Sequence, residues 1–153
     1  MAENDLILAG QTKLAFPVRA ADEVGPLILD GFGRLQVSAT PVDGTEFSVV
    51  STASTNANLI KNVSTDLFEI TVFNPTAALV YLKLYNKATA PTVGTDIPRL
   101  TIAVPVNTEK AYTFGFLGKR FALGLGLAIT LGPLATDVAA VAVGVQVSGT
   151  YQF

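Results

Sequence analysis

One stretch constrains this chain more than any other: residues 121–131, Phe-Ala-Leu-Gly-Leu-Gly-Leu-Ala-Ile-Thr-Leu. Phe121, Leu123, Leu125, Leu127, Ile129 and Leu131 alternate with Ala122, Gly124, Gly126, Ala128 and Thr130. A period of two is the signature of a strand, here with one bulky face and one nearly bare face. The bulky face demands a hydrophobic core. The bare face admits a second strand, an arm or a neighbouring subunit at close range. Ala122, Gly124, Gly126 and Ala128 are therefore the first candidate interface residues. The stretch does not read as a membrane helix. It carries Gly124 and Gly126, meets Gly132-Pro133, and its uncharged run stops at Asp137, short of the ~20 residues a span needs.

The same alternation recurs along the chain. Residues 46–51 and 56–62 read as short strands. In 66–73, Phe68, Ile70 and Val72 share one face, with Leu67, Glu69, Thr71 and Phe73 on the other. In 78–85, Val80, Leu82 and Leu84 face in, while Leu79, Tyr81, Lys83 and Tyr85 face out. Leu100, Ile102 and Val104 share a side of 99–104, as do Tyr112, Phe114 and Phe116 of 110–116. The last strand spans 139–153 and runs to the final residue. Turn residues such as Asn74-Pro75, Pro105 and Gly132-Pro133 punctuate the segments. About eight short strands with no helical window predict a β-sandwich. The long connection at 86–98 among shorter ones favours a jelly-roll or Greek-key arrangement over an up-and-down barrel.

Residues 1–44 read differently from the body, 45–153. Leu27-Ile28-Leu29 and Leu35-Gln36-Val37 flank Asp30-Gly31-Phe32-Gly33, a hairpin signal inside an extended arm. Pro41-Val42-Asp43-Gly44 reads as its closing turn. Such an arm serves either as a strap onto a neighbouring subunit or as an edge extension of the sandwich. Phe32, Arg34 and Leu35 join the candidate interface on that basis.

Composition narrows the chemistry. The 153 residues contain no cysteine and no histidine, which removes thiol chemistry, disulfides, the commonest general base and the commonest metal ligand. Each catalytic pattern fails. Gly115-Phe116-Leu117-Gly118-Lys119 lacks the spacing and hydroxyl of a phosphate loop. Gly124-Leu125-Gly126 lacks a third glycine and lies in a strand. Asp66 and Glu69 alternate onto opposite faces, a poor acid–base pair. Asp96 reads as a turn residue, and Asn62-Val63-Ser64 matters only in a secretory pathway that the acidic N-terminus does not enter. The expectation is a non-enzyme without cofactor or metal. Charged residues are 14% of the chain against roughly 25% in ordinary soluble domains. That is thin cover for a monomer and points to burial against other chains. A net charge of −2 indicates neither nucleic acid nor a membrane surface as partner.

Residues 80–105, VYLKLYNKATAPTVGTDIPRLTIAVP, resemble a segment that recurs in small structural proteins of tailed bacteriophages. The glycine-rich KRFALGLGLAIT, the alanine- and valine-rich C-terminal strand and the arm's GFGRLQVS also fit that type. The resemblance implies a virion component assembled in the host cytoplasm, a structural protein without catalytic residues. Within that type it implies a head decoration (cement) protein, a homotrimer bound to the major capsid protein or other virion proteins. A tail, neck or fibre module, involved in tail structure or host-surface attachment, is the alternative.

Overall fold

The computed structural model describes residues 44–153. The expected arm, its hairpin and Phe32, Arg34 and Leu35 lie outside the described residues. The body is all-β, and no helix occurs among the described residues. Its strands are β1 (Thr45–Val50), β2 (Asn58–Lys61), β3 (Thr65–Asn74), β4 (Val80–Asn86), β5 (Leu100–Val104), β6 (Thr108–Thr113), β7 (Lys119–Phe121), β8 (Leu125–Thr130) and β9 (Gln146–Gln152). They form two antiparallel sheets. The first runs β1-β9-β3-β6 with β7 also on β3, and the second runs β2-β8-β4-β5. The chain changes sheet at every connection except β4–β5 and β6–β7.

That crossing habit splits the 121–131 stretch, expected as one strand, into two. Phe121 closes β7 in the first sheet, and Leu125 opens β8 in the second. Residues 122–124 form the corner between them. Gly124 makes the corner with φ of 152°, and a Cβ there would lie 2.6 Å from the Lys61 carbonyl oxygen and 2.7 Å from that of Lys87. Leu123 consequently leaves the core and is exposed. Leu131, just past the end of β8, is exposed as well. The rest of the bulky face packs as expected: Phe121, Leu125, Leu127 and Ile129 are buried with Val80, Leu82, Leu84, Ile102 and Val104.

β3 corrects the expected face of 66–73. Its pairing with β9 slips between Leu67 and Glu69. A bulge inserts one residue and reverses the inside–outside phase beyond it. Leu67 therefore enters the core together with Ile70 and Val72, and Phe68 does not. Tyr112 and Phe116, expected to share a side with Phe114, are both exposed, Tyr112 on β6 at the sheet's edge and Phe116 beyond its end at Thr113. Phe114 alone of that trio packs against the core.

The expected strand over 139–153 exists only as β9, which is inserted between β1 and β3. Residues 131–145 instead form an ordered loop. Leu131 N–H donates to the Ala139 carbonyl at 3.2 Å, and Val141 N–H to that of Ser54 at 3.1 Å. Lys83, expected to face solvent, is fully buried, and its Nζ donates to the Leu134 carbonyl at 2.6 Å and the Asp137 carbonyl at 3.4 Å. Tyr85 is likewise buried. Loops thus cover much of the outer face of the central strands β4 and β8, while Thr101 and Ala103 on β5 and Leu59 on β2 stay exposed.

Candidate interaction surface

The small-residue face of β8 is occupied by this chain's own loops. Gly126 and Ala128 are buried, and Pro91 of the 86–98 loop approaches so closely that a Cβ on Gly126 would meet its ring at 3.1 Å. Ala128 lies opposite Lys83 on β4, under the 131–145 loop that Lys83 holds. Gly124 faces the Lys61 and Lys87 main chain. Of the four candidates on this stretch only Ala122 is exposed, and it sits at the corner between sheets. The close approach anticipated from Gly124, Gly126 and Ala128 is therefore met within the chain, and no room remains there for a second subunit.

The 86–98 loop is fastened at its base. Lys87 Nζ pairs with Asp96 Oδ2 at 2.5 Å, and Thr92 N–H donates to the same oxygen at 2.6 Å. The Lys87 hydrogen bond, with the Thr92 N–H second, holds the Asp96 carboxyl below its ordinary pKa, because both stabilise the charged form. Burial raises the Tyr85 hydroxyl's pKa, and the charge of Asp96 adds to it. Asp96 is thus a structural staple of the loop. Among the described residues no group of three or more acidic side chains is placed to hold a metal ion.

A different feature projects from the body. β6 and β7 lie end to end along one edge of β3, with Thr113 opposite Glu69 and Lys119 opposite Leu67. The five residues between them, 114–118, have no place in the ladder and bulge outward. Their turn is tied by Gly118 N–H to the Gly115 carbonyl at 3.1 Å and anchored by Phe114 N–H to the Phe68 carbonyl at 2.8 Å. Gly115 and Gly118 take φ of 73° and 65°, a left-handed conformation that glycine adopts without steric cost. Phe116 and Leu117 at its tip are 79% and 82% exposed. Two adjacent large apolar side chains held out on a pinned turn form a preorganised knob. Lys119 and Arg120 flank it, the latter paired with Asp66 at 3.1 Å. In the sequence this knob was hidden inside an apparent strand of alternating aromatics. The doublet Gly115…Gly118 was the available signal.

Comparison with protein-family models finds no match to the chain, and no curated protein matches it significantly.

Proposed function

We propose that this chain is a non-enzymatic structural protein of a tailed-phage virion, a decoration or cement protein that binds the assembled head. The observation that carries this reading is the Phe116–Leu117 knob on a sparsely charged sandwich whose small-residue strand is already filled from within. A preorganised apolar knob gains affinity because little ordering entropy is lost on docking. Burying each of these side chains contributes about 2 kcal/mol. One such contact is weak. Many copies that recognise only the assembled shell stabilise it by mass action. The main segment that resembles phage structural proteins, 80–105, forms β4, the stapled loop and β5, one contiguous hairpin of the body. A homotrimer docked on the major capsid protein completes the reading.

The test is binding of the purified protein to expanded empty heads by co-sedimentation. The Phe116→Ser/Leu117→Ser double variant should fold normally and lose at least tenfold in affinity. Wild-type failure to sediment with heads defeats the proposal. The alternative, a tail, neck or fibre module, is favoured by the open polar face of the first sheet, where Glu46, Ser48, Glu69, Thr71, Ser148 and Thr150 lie together.

A further inference from the structure

The outward face of the first sheet carries a groove unrelated to the knob. Its cavity volume is about 420 Å³, within the range of small-ligand sites. The strand register explains its shape. Glu46 on β1, Thr150 on β9 and Glu69 on β3 stand directly opposite one another. The next outward row is Ser48, Ser148 and Thr71, and the row beyond it is Val50, Gln146 and Phe73. Glu46 and Glu69 stand on either side of the shorter Thr150, and the next row, Ser48, Ser148 and Thr71, is short throughout, which leaves a shallow trough across the three strands. Adjacent strands lie about 4.8 Å apart, so the two glutamates rise from backbones roughly 10 Å apart, one on each wall. Thr150 Oγ1 donates to Glu69 Oε1 at 3.0 Å and fixes that carboxylate over the trough. Exposed Phe73 and Val50 lie just beyond one end.

We infer that this groove binds a neutral saccharide, with Glu46 and Glu69 accepting hydrogen bonds from its hydroxyls. The lining contains no Lys or Arg, and its two carboxylates repel phosphate, nucleic acid and anionic lipid. Four hydroxyls offer both donors and acceptors, which suits a ligand that itself carries both. Carboxylates give the strong, charge-assisted bonds in such a set. Phe73 supplies an apolar surface beside the trough for the C–H face of a second sugar ring. The site rests on three paired strands, so it needs no rearrangement to bind. An open, shallow groove of this kind gives roughly millimolar affinity per copy and depends on multivalency for tight attachment. The inference holds whether the protein sits on head or tail.

The test is a titration of the full-length, ¹⁵N-labelled protein with glucose, galactose, mannose, N-acetylglucosamine, lactose and chitobiose, followed by amide chemical shifts. At least one sugar should give saturable shifts centred on Ser48, Thr71, Ser148, Gly149 and Thr150. Glu69→Gln and Glu46→Gln, both at exposed positions, should each weaken that binding about tenfold while leaving shifts outside the groove unchanged. Three results overturn the inference: no sugar producing saturable shifts in the groove, wild-type affinity retained in both variants, or the same amides responding only to calcium or to a tri-lysine peptide.

Discussion

Gly124 sits where three pieces of main chain converge, and it shows how one residue decides a topology. The chain leaves the first sheet at Phe121 and enters the second at Leu125, and Gly124 makes that turn against the Lys61 and Lys87 carbonyls. Gly124→Val adds both a strained φ and a collision with backbone, and it should destabilise the fold by about 3 kcal/mol in urea unfolding. A loss below about 1 kcal/mol would mean that the corner relaxes elsewhere. Asp96 governs a smaller unit. Its folded-state pKa lies below the ordinary 3.8, so its contribution is present above that value and is lost as pH falls through the folded-state pKa. Hydrogen exchange at the Thr92 amide should therefore accelerate, beyond its intrinsic pH trend, on acidification below 3.8. Asp96→Asn should abolish that pH dependence. Lys83 teaches the complementary point. Alternation placed it correctly on the outer face of β4, yet a face says nothing about what covers it, and here the 131–145 loop does.

At the scale of elements, much of the fold was legible because two-residue periodicity reports directly on strands. β1, β2, β4 and β5 fall where alternation placed them, and Val80, Leu82, Leu84, Ile102 and Val104 are core residues as expected. Three features escaped for physical reasons. A bulge shifts phase by one residue without a break in hydrophobicity, so Leu67 and Phe68 exchanged places. A sheet-to-sheet corner can keep the alternation going across it, so residues 121–131 looked like one strand. A loop that packs on a sheet also carries buried valines, so Val141 and Val145 imitated strand positions. The bulge makes a contrast that mutation can read. Ile70→Ala should cost about 3 kcal/mol as a core truncation, and Phe68→Ala, two residues earlier but outside the core, about 1 kcal/mol. Equal costs in thermal or denaturant unfolding would contradict the phase shift.

At the scale of the molecule, the candidate site was less legible than the fold. The reading that some surface must meet other chains came from sparse charge. The position assigned to it, the small-residue face of β8, is filled by the chain's own loops, because a bare strand face attracts whichever surface is nearest in the fold. The exposed knob at 114–118 came to light only through the end-to-end pairing of β6 and β7 on β3. The most direct measurement is a cryo-EM map of the virion encoded with this chain, at a resolution that traces side chains. The account predicts copies of this sandwich on the outer surface of the head, with Phe116 and Leu117 buried against the capsid shell. A particle whose head carries no such copies, or one in which that knob points into solvent, would contradict it.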